Sequence, residues 1–193
     1  MALEVEKKFL DVDFSELRTL LEASGARCAG LHFEYNLLLD TPAGDLASQK
    51  KLLRIRSQRW SAGEKFIITY KGSLPDLAGC KVRDERELEI ADAQAAVALF
   101  AGLGYEPCAH YEKWRESWTL NGVEIELDTL PFADIVELEG PAEEIERLSR
   151  ELGLDKKESS TKSYYELFRL WCQSKGIAGG SSFDFATYRP DAL

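Results

Sequence analysis

A chain of 193 residues, 45% of them hydrophobic, is long enough for one domain with a core of its own. Its 30% charged residues sum to −10, which argues against general nucleic-acid binding, since that needs a clustered excess of Lys and Arg. An acidic whole can still enclose a basic site, so a phosphate ligand stays open.

Taken in chain order, the first element is a strand over 3–10. Residues two apart on a strand share a face, so Glu4, Glu6 and Lys8 lie together, opposite Val5 and Phe9. A helix over 12–24 carries Phe14, Leu17, Leu20 and Leu21 on one stripe and stops at Gly25. Strands over 34–40, 51–57 and 65–71 follow. Arg54 and Arg56 face away from Leu53 and Ile55, and Lys71 shares a face with Thr69 and Ile67. The strand over 82–90 sets Glu85, Glu87 and Glu89 in one row. A helix over 92–103 opens on a capping Asp92.

Three strands come next, over 111–120, 123–130 and 134–139, the first two joined by the turn dipeptide Asn121-Gly122. They place Lys113, Arg115 and Ser117 on one face, then Glu124, Glu126 and Asp128, then Glu137 and Glu139. Helices over 142–152 and 163–174 close a domain of residues 1–175. The tail, 176–193, reads as loop, with Phe183, Phe185 and Tyr188 available to dock it. The aromatics at helical spacing in 163–174 read as packing, and His32 and His110 as structural. Trp60, in a turn-rich stretch, could sit at the mouth of a cavity.

Four amphipathic helices need an apolar surface to cover. If the apolar strand faces point outward to meet them, the charged faces point into the middle of the sheet. The expected fold is therefore α+β: a closed or nearly closed eight-stranded antiparallel β-barrel with a charged interior and helices outside. Burying that many charges costs several kcal/mol each unless they are paired or liganded. Carboxylate clusters call for cations, and oxygen-only ligands favour Mg²⁺ or Mn²⁺. Clustered Arg and Lys call for polyvalent anions, and phosphate fits the guanidinium fork. A metal-chelated polyphosphate satisfies both sets.

The four cysteines are scattered, with no CxxC, which reads as reduced thiols rather than zinc or disulfides. The first residues are charged and no apolar run approaches ~20 residues, so the expectation is a soluble, cytoplasmic protein with no membrane partner.

Glu4-Val5-Glu6-Lys7-Lys8 resembles the ExExK signature of the CYTH superfamily, the triphosphate tunnel metalloenzymes. The rest of the likeness follows in order: Leu53-Arg54-Ile55-Arg56, Thr69-Tyr70-Lys71-Gly72, Glu85-x-Glu87-x-Glu89 and Lys113-Trp114-Arg115. Glu126-Leu127-Asp128, Val136-Glu137-Leu138-Glu139-Gly140 and Lys162-Ser163-Tyr164 complete it. The last run and the compact domain look closest to the class IV adenylyl cyclase branch.

The resemblance implies that Glu4, Glu6, Asp128, Glu137 and Glu139 hold divalent metals, two per site with substrate. It implies that Lys8, Arg54, Arg56, Lys71, Lys113, Arg115 and Lys162 grip the triphosphate, with Lys8, Arg54, Arg56, Lys71 and Arg115 as the catalytic set. Glu85, Glu87 and Glu126 serve the metal or orient the bases. Many relatives carry a glycine where this chain has Leu130-Pro131-Phe132-Ala133-Asp134, which bears on the nucleotide end of the tunnel. The motif set does not choose the reaction; hydrolysis of a nucleoside, thiamine or inorganic triphosphate is placed first because it needs only water and no nucleobase pocket. The alternatives are cyclisation of ATP to cyclic AMP and pyrophosphate, and non-catalytic binding of polyphosphate or nucleotide.

Overall fold

The computed structural model describes residues 2–73 and 79–192. Strands β1 (Ala2–Leu10), β2 (Arg27–Asp40), β3 (Leu52–Trp60), β4 (Gly63–Ser73), β5 (Lys81–Ile90), β6 (Glu106–Leu120), β7 (Val123–Thr129) and β8 (Asp134–Glu139) form a closed antiparallel barrel. The order around it is β5-β4-β3-β2-β6-β7-β8-β1, and pairing of β1 with β5 shuts the ring. Closure is uneven. Residues Ala2–Glu6 pair with β5, but Lys8 and Phe9 pair instead with a two-residue strand, β9 (Ser159–Ser160). Among the described residues, six α-helices lie outside: α1 (Phe14–Ala23), α2 (Asp45–Ser48), α3 (Ala93–Gly102), α4 (Ala142–Glu151), α5 (Tyr164–Lys175) and α6 (Phe185–Tyr188).

Local chemistry sets the element ends. The Asp13 carboxylate accepts from the N–H groups of Ser15 and Glu16, and Asp92 does the same for α3 at Gln94 and Ala95. Asn121 and Gly122 both adopt positive φ, 53° and 79°, the backbone that a two-residue hairpin requires. Strand β2 begins seven residues earlier than the alternation over 34–40 suggests. A register shift at Cys28/Gly30, where Gly30 has φ 106°, lets the strand continue through a stretch whose pattern is broken.

The apolar strand faces do point outward. Phe9, Ile125, Leu127, Val136 and Leu138 pack against Leu17 and Leu21 of α1 and Ile145, Leu148 and Leu152 on the α4 side. Helix α3 covers Leu53 and Ile55 through Ala96. Helix α5 and the tail cover the remaining end, with Phe183 and Phe185 fully buried. The tail is fastened by backbone bonds from Phe183 N–H to the His110 carbonyl and from Glu112 N–H to the Phe183 carbonyl. No helix among the described residues is long and apolar enough to cross a membrane.

Candidate active site

The charged strand faces enclose a cavity of about 280 Å³. Strand order divides its lining into two walls. Strands β7, β8, β1 and β5 are contiguous and carry Glu124, Glu126, Glu137, Glu139, Glu4, Glu6, Glu85 and Glu87. Strands β4, β3, β2 and β6 form the other arc and carry Lys71, Arg54, Arg56, Lys113 and Arg115. Lys8 and Lys81 sit among the acids. Tyr111, Tyr164 and Tyr165 also line the cavity, the last two from the start of α5, and His32 and Gln58 line it from β2 and β3.

Three carboxylates converge on the acidic wall. Glu4, Glu85 and Glu139 each offer an oxygen within 4.8 Å of the other two. Lys71 bonds Glu4 and lies 3.3 Å from Glu85, so one ammonium serves two acids. Burial works against the Glu4 anion, yet Lys71 holds its pKa down at about 2. Burial and the Glu4 charge push Glu85 up to about 7. Burial, with Glu4, Glu137 and Glu85 around it, pushes Glu139 up to about 8. The trio is short of positive charge. Oxygen Oε2 of Glu4 is buried and has no hydrogen-bond partner. An all-oxygen donor set with a spare buried lone pair fits a hard divalent cation.

The other acids are engaged by protein cations. Lys8 lies 2.6 Å from both Glu6 and Glu137, and Lys81 lies 2.7 Å from Glu6. Asp128 is fully buried and takes Lys113 at 3.0 Å, Arg115 at 2.7 and 2.5 Å, and the Tyr164 hydroxyl at 2.5 Å. Glu137 takes Arg115 at 2.8 Å and Tyr164 at 2.9 Å. Burial opposes the Asp128 and Glu137 anions, but these cations hold both below the usual carboxylate range. Asp128 and Glu137 therefore act as anchors for Lys8, Lys113 and Arg115 in this arrangement.

On the basic wall, Arg54 donates to the Tyr111 hydroxyl at 3.1 Å and to Thr69 at 3.2 Å, and its Nε is buried without a partner. Arg56 reaches Asn36 at 3.1 Å through Nε. Oxygen Oε2 of Glu126 lies 3.8 Å from Arg115, too far for a hydrogen bond, and is buried with no hydrogen-bond partner. Burial, with Asp128 nearby, lifts Glu126 to about 7. Of the buried side-chain atoms without a hydrogen-bond partner among the described residues, those on Glu4, Arg54, Glu126 and Tyr165 belong to cavity-lining residues. Unsatisfied donors and acceptors held in one cavity mark where a ligand with both kinds of partner would be stabilised.

Of the expected site residues, Asp128 lies behind the cavity lining, held by Lys113, Arg115 and Tyr164, and Lys162 lies outside the cavity altogether. Lys162 is exposed and outside the lining, with only its backbone N–H bonded to Ser160. Glu89 is exposed at the end of β5. Sequence reasoning also missed a cluster around Glu34, which is 0% exposed. That carboxylate accepts from Gln58 at 3.0 Å and Asn36 at 3.4 Å, and lies 3.4 Å from both Arg56 and Lys113. His32 approaches it at 3.2 Å and stacks on Trp60 with ring centroids 4.7 Å apart. The signal was present, since alternation runs unbroken through Leu31-His32-Phe33-Glu34-Tyr35-Asn36-Leu37. Lys81 and Tyr164 were missed as well.

A sequence profile described as "CYTH domain" matches residues 2–164. A protein of Methanocaldococcus jannaschii named "Putative adenylate cyclase" is 26% identical over 176 residues, covering 86% of this chain and 98% of its own. The solved structure of the PH1819 protein from Pyrococcus horikoshii is 26% identical with a TM-score of 0.74, covering 86% of this chain and 98% of that one. A Hippeastrum structure, whose description joins the name adenylyl cyclase to a dominant triphosphatase activity, superimposes with a TM-score of 0.61 at 22% identity. It covers 93% of this chain and 98% of its own, and shares the fold.

Proposed function

Taking as premise that the chain belongs to the CYTH family, we propose that it is a divalent-metal-dependent enzyme acting on a triphosphate, and that hydrolysis is its main reaction. The observation that supports this best is the division of one buried cavity into an acidic and a basic wall, with unpaired atoms on each: Glu4 Oε2 and Arg54 Nε. A polyphosphate alone would leave the Glu4, Glu85 and Glu139 trio uncompensated, and a metal alone would leave the guanidinium donors unused.

Glu4, Glu85 and Glu139 would hold Mg²⁺ or Mn²⁺, with Glu6 beside them; when bound, the cation neutralises phosphate oxygens and polarises the phosphoryl group. The chain's own bases do the rest. Arg54 and Arg56 direct guanidinium N–H groups into the cavity, and Lys8, Lys71, Lys113 and Arg115 supply positive charge around it. These donors stabilise charge that develops on the phosphoryl oxygens, and in a water-poor cavity each is worth more than in solvent. They are already fixed by carboxylates and hydroxyls, so little reorganisation accompanies reaction.

Hydrolysis requires only water as nucleophile, whereas cyclisation also requires the ribose 3′-hydroxyl to be presented in line. A second reading, adenylyl cyclase activity, is favoured by the name of the Methanocaldococcus relative. Incubation with tripolyphosphate, ATP and thiamine triphosphate, each with Mg²⁺ and with Mn²⁺, distinguishes the two when phosphate and cyclic AMP are assayed separately. Phosphate release that disappears on chelation is expected. Cyclic AMP with pyrophosphate and no phosphate would replace hydrolysis with cyclisation, and no turnover of any triphosphate would refute both.

A further inference from the structure

The Lys162-Ser163-Tyr164 run suggested Lys162 as a phosphate contact, but the fold carries Tyr164 inside instead. Ser163 caps α5 through a reciprocal box: its hydroxyl accepts from the Glu166 N–H, and the Glu166 carboxylate accepts from the Ser163 N–H. The first helical side chain, Tyr164, is 9% exposed and lines the cavity.

Five barrel residues meet it. The hydroxyl is 2.5 Å from Asp128 on β7 and 2.9 Å from Glu137 on β8. The ammonium groups of Lys8 on β1 and Lys113 on β6 lie over its ring, 5.1 and 5.3 Å from the centroid. Tyr111 meets the ring edge-on at 6.2 Å. A phenol has one proton, so it can donate to only one of the two carboxylates at a time. Arg115 reaches both, at 2.5 and 2.8 Å, and compensates the other. The ring face attracts both ammonium groups through its quadrupole. One neutral side chain thus ties together cations from strands that are not neighbours.

We propose that Tyr164 is a positioning residue for the bound triphosphate. It fixes Asp128 and Glu137 against Arg115 and holds Lys8 and Lys113 over one aromatic face, so that three cations meet the phosphate chain in a single geometry. The proposal rests on the triphosphate reading above. Without the hydroxyl, Asp128 and Glu137 draw Arg115 and Lys113 towards themselves and away from the ligand.

The test compares full-length wild type with Tyr164→Phe, which keeps the ring, and Tyr164→Leu, which loses ring and hydroxyl. Kinetics with the best triphosphate from the panel and Mn²⁺ are read alongside thermal melts. Tyr164→Phe should raise KM about tenfold with kcat changed less than about threefold, as expected where the lost hydrogen bond loosens cations that grip the phosphate chain in the ground state and the transition state alike. Tyr164→Leu should raise KM further; if it does not fold, the Phe variant still decides. Wild-type KM in Tyr164→Phe, or a fall in kcat at constant KM, overturns the role. A wild type that neither turns over nor binds any triphosphate brings down the functional reading and this inference together, whereas an active wild type with an unaffected Phe variant removes only the inference.

Discussion

Replacing Asp128 by Asn separates two roles for a buried carboxylate. The family likeness implies a metal ligand, whereas the structure surrounds Asp128 with Lys113, Arg115 and Tyr164 and leaves it fully buried. Removing one partner of a buried ion pair costs about 3–5 kcal/mol, because the other charge stays buried. Asn keeps one carbonyl oxygen for Arg115, while Glu34 and Glu137 still face Lys113 and Arg115, so the lower end, about 3 kcal/mol, is expected. For a domain of this size 1 kcal/mol moves Tm by about 2–4 °C, giving a fall of about 6–12 °C. The melt is then repeated with Mn²⁺ and tripolyphosphate. An anchoring Asp128 predicts a lowered baseline and a ligand-induced rise that survives. Glu4→Gln should lower the baseline less, since Lys71 keeps Glu85 at 3.3 Å and crowding with Glu85 and Glu139 is relieved, and should lose the rise. An Asp128→Asn protein with a wild-type baseline and no ligand-induced rise would refute the anchoring argument.

Glu34→Gln tests the other buried network. Burial raises the Glu34 pKa, but Arg56 and Lys113 outweigh it and hold the carboxyl well below its usual range. A depressed folded-state pKa contributes stability that is present above the unfolded value, about 4.3, and is lost as pH falls through the folded value. The variant should therefore be less stable than wild type at pH 7, with the gap closing on acidification below about pH 4; urea melts showing a gap that is constant from pH 7 to pH 3 would contradict this. Phe183→Ala should cost about 3–5 kcal/mol in the same melts. Its ring is 0% exposed and lies 4.7 Å from Phe168 and 5.2 Å from Tyr111. A loss under about 1 kcal/mol would mean that the tail is not part of the core.

Barrel, helices and charged interior were legible because each strand keeps its period: Glu4, Glu6 and Lys8 on β1 and Arg54 and Arg56 on β3 can share a face only one way. Which acids converge was not legible. Alternation puts Glu85, Glu87 and Glu89 in one row, but the offset between β5 and β1 sets Ala2 beside Glu85 and Glu4 beside Arg83, which brings Glu85 towards Glu4 and leaves Glu89 exposed. Register between distant strands is a property of closure, not of local pattern. Glu34 was hidden for a related reason. Alternation puts His32, Glu34 and Asn36 in one row, but that this row meets Arg56 and Lys113 depends on β2 lying between β3 and β6, which is a pairing of distant strands. Lys162 and Tyr164 show the limit of motif reading: the motif marks the place, while the helix cap decides which of its side chains enters.

Under the proposed function, the two walls also bear on how metal and triphosphate would bind together. Lys71 bonds Glu4, Lys8 bonds Glu6 and Glu137, and Arg115 bonds Asp128 and Glu137, so much of the charge in the cavity is neutralised by the protein itself. A triphosphate arriving alone draws Lys71 towards itself and leaves the Glu4, Glu85 and Glu139 trio with still less positive charge. A divalent cation arriving alone satisfies that trio but releases Lys71 as an unpaired buried ammonium. Arriving together, each ligand takes the partner that the other has set free, and neither desolvation cost is left uncompensated. The two should therefore bind with positive coupling, in the range of about 5–150-fold, and the coupling must be the same whichever is added first. Calorimetric titration of Mn²⁺ with and without a slowly hydrolysed triphosphate analogue, and of the analogue with and without Mn²⁺, measures it. Part of any coupling comes from chelation in free solution, so the metal–analogue constant is subtracted. Lys71→Met should shrink what remains, because it removes the ammonium that the two walls exchange. Residual coupling equal in wild type and Lys71→Met would show that Lys71 is not the shared charge.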